Sequence, residues 1–205
     1  MLTPMDVQNT DARGPDPRGP DAKCLATFAE WLNGMGRDVL ALGRVLEREE
    51  LPESTRRVSA QSLNYLLRTL ALTPQGLEEL AYLDVLFAFR VLSGLNAEAQ
   101  PEPSEQDASA TLARLAADAA LVAEFLGDDF ASFVDAVCVP NATALRGQSA
   151  EDVLAEPELR ATLLGEVRAW AEDYQAPELA SGRYELVKLR SFMRTKLRAQ
   201  LERES

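Results

Sequence analysis

The chain has 205 residues and a net charge of -12, and 46% of its residues are apolar. This apolar content is enough to bury the core of one large domain or two small ones. An acidic chain of this kind repels phosphate backbones, so nucleic acid is not expected as a partner. The sequence contains no histidine, which removes the most common general base, the most common metal ligand and the usual pH switch. No cofactor is expected, and enzymatic activity is not favoured.

The two cysteines, Cys24 and Cys138, lie far apart and form no Cys-x-x-Cys pattern. A thiolate metal site or a redox pair is therefore not indicated, and one disulfide remains an open alternative. Both cysteines have apolar neighbours, so we expect them to be small buried side chains. The first residues lack the basic and apolar regions of a secretory signal, and this predicts a cytoplasmic protein.

The N-terminal half begins with a segment rich in proline and glycine, residues 1–22, which we predict to be a disordered leader. Apolar residues then recur at steps of three and four from Leu25 to Leu46, which predicts one long helix. This helix also contains Gly34, Gly36 and Gly43, so packing within a bundle is favoured over a coiled coil. Pro52 is expected to end it, with Ser54 capping the next helix.

A second break is predicted at Thr73 and Pro74, with Thr73 as the N-cap of a third helix that starts there or after Gly76. Residues 80–95 are apolar nearly all round, so this helix is expected at the centre of the bundle. Asp84 and Arg90 interrupt the run, and it is shorter than the roughly 20 apolar residues that cross a bilayer. A membrane span is therefore not favoured.

The second half repeats the helical pattern after residues 98–108, which are predicted to be a linker because they are rich in proline and glutamate. Gly127 is expected to stop one helix, and Ser149 with Asp152 resembles a capping box for another. No segment shows sustained alternation of apolar and polar residues. We therefore predict an all-α bundle of about seven helices, in which a C-terminal region, 109–205, packs on an N-terminal region, 23–97.

Residues 54–97 contain three short motifs: Leu63-Asn64-Tyr65-Leu66-Leu67, Leu72-Thr73-Pro74 and Ala81-Tyr82-Leu83-Asp84. Together they resemble the YkvA-like domain, a bacterial family of unknown function (domain of unknown function 1232), whose motifs read approximately A-x-x-Y-L-L, D-L-I-P-D and G-Y-L-D-D. The family's other carboxylates fall on Ala71, Gln75 and Val85, and its glycine falls on Ala81. The resemblance implies a helical hairpin with Tyr65, Tyr82 and Asp84 as candidate functional residues, and it implies no reaction.

Asp84 is the most unusual single residue, because a carboxylate inside an apolar helix needs a partner or acquires a raised pKa. One hypothesis is a ligand-binding or proton-handling group. The alternative is a structural carboxylate that accepts hydrogen bonds from a turn or pairs with an arginine such as Arg56, Arg57 or Arg90. Glu78 and Glu79 with Asp84 offer oxygen ligands for a divalent cation, although their position at a helix start explains the two glutamates without a metal.

The C-terminal helix differs in charge from the region before it. Residues 96–175 carry 16 acids and 4 bases, whereas residues 176–205 carry 4 acids and 7 bases. Arg190, Arg194 and Arg198 recur at steps of four, next to an apolar face that ends at Leu201. We expect this basic stripe to face the acidic middle of the same chain. A membrane surface or a partner protein is the alternative.

These observations favour a non-enzymatic protein–protein interaction or adaptor module of unknown partner and oligomeric state. Two alternatives remain open. The first is a peripheral membrane-surface protein that uses the basic C-terminal helix, and the second is a metal-dependent enzyme that uses Asp84 and the nearby glutamates.

Overall fold

The structure is a computed structural model that describes residues 20–96, 108–138, 144–179 and 183–204. The predicted leader and the predicted linker lie almost wholly outside these residues. The first helix begins earlier than predicted, because it includes residues 20–22, which we assigned to the leader. Ala108, which was assigned to the linker, opens a helix.

The described residues form nine α-helices, and no strand is present in these four segments. The helices are α1 (Pro20–Glu47), α2 (Glu53–Leu72), α3 (Glu78–Leu95), α4 (Ala108–Ala117), α5 (Ala119–Leu126), α6 (Phe130–Cys138), α7 (Ala150–Ala155), α8 (Pro157–Asp173) and α9 (Arg183–Glu204). A 3₁₀ turn at Gly127–Asp129 joins α5 to α6. The predicted all-α bundle is confirmed.

Several helix ends follow the local sequence. Gly127 ends α5 with a φ of 56°, a left-handed conformation that glycine adopts without strain. The capping box is confirmed, since the Ser149 hydroxyl accepts from the Asp152 amide and the Ser149 amide donates to the Asp152 carboxylate. Two cap predictions were wrong. Pro52, not Ser54, occupies the N-cap of α2, and Thr73 follows the end of α2 and does not cap α3.

The third helix lies at the centre of the bundle, as predicted from the apolar residues on nearly every side of it. Within α3 every residue from Leu80 to Ser93 except Tyr82 is buried. Phe87 lies in an aromatic cluster whose nearest ring centroids are 5.1 to 5.6 Å apart, formed with Phe28 of α1 and Phe125 of α5. The core is therefore shared between helices from both halves of the chain.

The last helix crosses the bundle on one side, against α1, α3 and α6. Its apolar face is buried through Leu186, Leu189, Met193 and Leu197. The side chain of Leu201, the last member of the predicted face, lies outside the described residues. No helix in the described segments is long and apolar enough to cross a membrane. This placement of α9 brings Lys196 to the buried Asp84 of α3.

Candidate functional site

Asp84, Tyr65 and Lys196 come together where α2, α3 and α9 meet, and we call them the Asp84 cluster. The Asp84 side chain has no exposed surface. The Tyr65 hydroxyl lies 3.2 Å from each Asp84 carboxylate oxygen and donates to this carboxylate. Lys196 forms an ion pair with Asp84 and also donates to the Tyr65 hydroxyl, over 2.6 Å. Both oxygens of the buried carboxylate are thereby satisfied.

The predicted arginine partners of Asp84 were wrong. Arg57 instead forms ion pairs with Glu53 and Glu151, and Arg90 lies 3.5 Å from Asp118. Lys196 was missed as the partner because it lies 112 residues further along the chain. A signal was nevertheless present in the sequence. Lys196 follows Leu189 by seven residues and Met193 by three, which places a lysine on the apolar stripe of α9.

The electrostatics of the cluster fix its protonation. Burial raises the pKa of Tyr65, and the Asp84 carboxylate raises it further, so the phenol is neutral at physiological pH. Burial lowers the pKa of Lys196, but the Asp84 carboxylate and the Tyr65 hydroxyl outweigh this and hold it above its ordinary value. Lys196 is therefore a firmly protonated ammonium group. In this state the amine has no lone pair for nucleophilic attack or for accepting a proton.

A cleft with a cavity of about 220 Å³ opens beside the cluster, between α2 and α9, and we call it the α2–α9 cleft. Its walls combine the cluster with apolar side chains and with the turn after α2. The lining residues are Tyr65, Arg68, Thr69, Leu72, Thr73, Pro74, Asp84, Phe192, Lys196 and Ala199. Leu72 is 68% exposed and also borders a second, shallower hollow of about 530 Å³.

Tyr82, the third residue of the family motif, lies on a different side of α3 and does not line the cleft. Its ring packs against Trp170 and Tyr174 of the α8 region, with centroid distances of 6.0 and 5.3 Å. The side chains of residues two apart on a helix point about 200° from each other. Tyr82 and Asp84 therefore make different contacts.

The predicted metal ligands do not form a site. Glu78 accepts a hydrogen bond from the Gly76 amide over 2.8 Å, at the start of α3. Burial and the nearby Glu185 carboxylate raise the pKa of Glu79. In the described part of the chain, no group of three or more acidic or cysteine side chains is arranged to hold a metal ion.

Two arginines of the basic stripe contact the protein itself. Arg194 binds Asp129 over 2.6 Å. The Arg190 guanidinium stacks over the Phe125 ring, 4.6 Å from its centroid, and lies 3.8 Å from Asp21. Arg198 is exposed and lines a shallow hollow near Asp128 and Asp129. Arg190 and Arg194 are therefore paired with acidic groups of their own chain, whereas a helix that binds a membrane surface would direct such charges to the lipid.

The cysteines differ from each other. Cys24 is buried as expected, whereas Cys138 is exposed at the end of α6, so the prediction of burial was wrong there. Partial removal of each thiol from water raises the pKa of both cysteines, and nearby carboxylates add to this effect. Neither is an activated thiolate at neutral pH.

The chain was compared with protein-family models, with curated proteins and with solved structures, and none of them matches. The resemblance of residues 54–97 to the YkvA-like domain stays a prediction.

Proposed function

We propose that the protein is a non-enzymatic helical interaction module and that it binds a partner protein through the α2–α9 cleft. The observation that carries this proposal is Leu72. A leucine with 68% of its surface exposed stands on the ridge between two hollows. An apolar side chain at the edge of a groove can contact the apolar face of a partner helix or the side chains of an extended partner segment that lies in the groove.

The chemistry of the cluster supports binding over catalysis. The charge of Lys196 is fixed by Asp84, and the tyrosine proton is held by the same carboxylate. A general acid or base works best when its pKa lies near the operating pH, and neither group meets this condition. The cluster is therefore suited to holding a charge in place, which is a binding role.

The shape of the surface favours a protein segment over a compact ligand. Drug-sized ligands occupy pockets of about 300 to 1,000 Å³ that enclose most of their surface. The 220 Å³ cleft is smaller than this, and the 530 Å³ hollow, although within the range, is shallow and does not enclose a ligand; Leu72 and Arg68 line both. A helix or an extended segment of a partner can cover this ridge and insert one side chain on each side.

The test compares Leu72→Asp with Leu95→Asp. Leu95 is a matched control, since it is also the last residue of a helix and is 56% exposed, but it does not line the cleft. Proteins captured from cells by the tagged wild-type chain are purified, and their affinity is measured by calorimetry. Leu72→Asp should weaken binding at least about tenfold, because the interface loses a buried apolar contact and gains a charge.

Leu95→Asp should bind like the wild type, and circular dichroism should show both variants folded. If Leu72→Asp binds its partners as well as Leu95→Asp does, the cleft is not the interaction surface and the proposal is wrong.

A further inference from the structure

We infer that residues 1–19 dock in the α2–α9 cleft of their own chain through Leu2 and Met5, which makes them an intramolecular competitor of a partner protein. The competition rests on the proposed function, whereas the docking itself needs no partner. The inference follows from the apolar walls of the cleft, from the sequence of residues 1–19 and from the place where α1 begins.

The cleft offers apolar contacts that the described residues leave uncovered. Leu72 is 68% exposed, and Phe192 and Ala199 of α9 add apolar surface on the opposite wall. The Thr73 hydroxyl donates to the Thr69 carbonyl over 2.7 Å, so this polar group of the lining is already satisfied. A cavity of about 220 Å³ is smaller than the pockets that hold drug-sized ligands. The cleft therefore suits a few apolar side chains of a polypeptide.

Among the parts of the chain outside the described residues, only residues 1–19 contain leucine or methionine. The large apolar side chains of this segment are Met1, Leu2, Met5 and Val7. Residues 97–107 carry four acidic side chains and no apolar residue other than alanine and proline, and residues 139–143 contain one valine. Pro4 restricts the backbone between Leu2 and Met5, so less entropy is lost when this segment is ordered.

The N-terminal segment joins the bundle beside α9. Helix α1 begins at Pro20, and Asp21 lies 3.8 Å from Arg190 of α9. Arg190 and Ala199 are about 14 Å apart along this helix, and a helix is about 10 to 12 Å wide. Residues 6–20 can span up to about 50 Å. Met5 can therefore reach the cleft without any change in the bundle.

Attachment to the bundle makes a weak contact sufficient. A tethered segment acts at an effective concentration on the order of millimolar. A contact whose Kd is about 1 mM is then about half occupied. Burial of two apolar side chains is enough for a contact of this strength. A partner protein that uses the same cleft has to displace the segment.

The test places a nitroxide spin label on Thr10→Cys in the complete ¹⁵N-labelled chain and follows the amide signals by NMR. Cys138 is exposed and is replaced by serine so that it takes no label, whereas Cys24 is buried. The label should remove most of the signal intensity at Thr69 and Leu72, because a nearby nitroxide broadens amide signals.

Substitutions within residues 1–19 show whether the apolar side chains hold the segment. Leu2→Ser/Met5→Ser should restore the signals of the cleft, and it leaves the bundle unchanged. Gln8→Ser/Asn9→Ser is the matched control and should leave the broadening as it is. Cleft signals that keep their intensity in the labelled chain, or broadening that Leu2→Ser/Met5→Ser does not relieve, would overturn the inference.

A mixture of two samples identifies the chain that supplies the segment. Spin-labelled protein without ¹⁵N is added to ¹⁵N-labelled protein without a spin label. Unchanged cleft signals in this mixture support docking within one chain. Broadening in the mixture as strong as in the doubly labelled chain shows that a second copy occupies the cleft, and it overturns the inference.

A substitution on the cleft gives a second test in which residues 1–19 are unchanged. Ala199→Phe fills the cleft with a bulky ring, so the spin label should no longer broaden Thr69 and Leu72. Ala169→Phe, at an exposed position of α8, is the matched control and should keep the broadening. Equal broadening in both variants would contradict docking in the cleft.

Failure of this inference is distinguishable from failure of the proposed function. If the spin label leaves the cleft signals intact and Leu72→Asp weakens partner binding, only the inference is wrong. If the segment docks and partner binding does not depend on Leu72, only the protein-interaction proposal is wrong. Where both hold, Leu2→Ser/Met5→Ser should tighten partner binding about twofold, as expected when a half-occupied competitor is removed.

Discussion

Asp84 and Lys196 illustrate the cost of charge inside this bundle. Removing an ion pair from water costs several kcal/mol for each ion, and the attraction between the two ions offsets this only when their remaining hydrogen bonds are made. Here Tyr65 completes the set by donating to Asp84 and accepting from Lys196. Removing only one charge of the Asp84–Lys196 pair is therefore expected to destabilise the fold more than removing both charges.

At the residue scale we predict that Lys196→Met lowers the free energy of unfolding by about 3 to 5 kcal/mol, because Asp84 is left buried without its cation. The double variant Asp84→Asn/Lys196→Met should recover most of this loss. Lys188→Met is the control, since Lys188 is exposed and lies 3.7 Å from Glu185 on the same helix. Chemical denaturation measures all three. A larger loss in the double variant than in Lys196→Met would contradict the prediction.

The pH dependence follows from the raised pKa of Lys196. A group whose pKa is higher in the folded state stabilises the protein fully below its unfolded pKa, about 10.4 for lysine, and loses this effect only as the pH rises through the folded value. The stability difference between the wild type and the double variant Asp84→Asn/Lys196→Met, which leaves no unpaired Asp84 carboxylate to titrate, should therefore be the same at pH 6 and pH 8. A difference that shrinks between these values would show that Lys196 titrates in this range.

Arg90 is a second charged residue in the core, and its burial was not predicted from the sequence. Arg90 is fully buried, and its guanidinium lies 3.5 Å from the centroid of the Trp31 ring. It donates to the Leu86 carbonyl over 2.9 Å. Burial lowers the pKa of Arg90, while the carboxylates of Asp118 and Asp38 oppose this effect. Arg90 therefore helps to join α1, α3 and the junction of α4 with α5.

At the scale of elements, α1 and α8 approach each other closely at a glycine. A Cβ atom added to Gly36 would lie 3.3 Å from the Cδ1 atom of Tyr174. This ring cannot easily move, because its hydroxyl donates to the Leu32 carbonyl over 2.9 Å and its face packs against Trp170. At Gly34 the nearest neighbour is the flexible end of the Arg37 side chain.

We therefore predict that Gly34→Ala stabilises the protein by about 0.5 to 1 kcal/mol, because alanine is the better helix former. Gly36→Ala should be less stable than Gly34→Ala by about 1 to 3 kcal/mol, the usual cost of overpacking. Thermal denaturation of both variants measures the difference. Equal gains at the two positions would show that α8 moves away without cost.

At the scale of the whole molecule, the two halves of the chain share both their core and their surface contacts. The Phe125 ring packs between Phe28 and Phe87. Polar contacts also cross from the first half to the second, among them those of Asp38 with Arg114, Glu49 with Arg160, Glu47 with Arg168 and Asp84 with Lys196.

We predict that a protease site inserted at residues 101–103 can be cut without separating the fragments. They should elute together in size-exclusion chromatography, because each half alone would expose one side of α3. Two fragments that elute as independently folded monomers would contradict this prediction. The uncut protein with the same insertion is the control.

The sequence by itself determined the all-α class of the fold, because apolar spacing, proline and glycine act over a few residues. It indicated the central position of α3, the end of α5 at Gly127 and the capping box at Ser149. It also marked Asp84 and Tyr65 as candidates, since both belong to the motif on which the family resemblance rests.

Only the tertiary structure decided which groups meet. Lys196 reaches Asp84 because α9 packs across the bundle, and a contact over 112 residues depends on every crossing angle between them. The same packing paired Arg190 and Arg194 with groups of their own chain. Local patterns specify the helices and their buried faces, whereas the partner of a buried charge is set by how those faces are assembled.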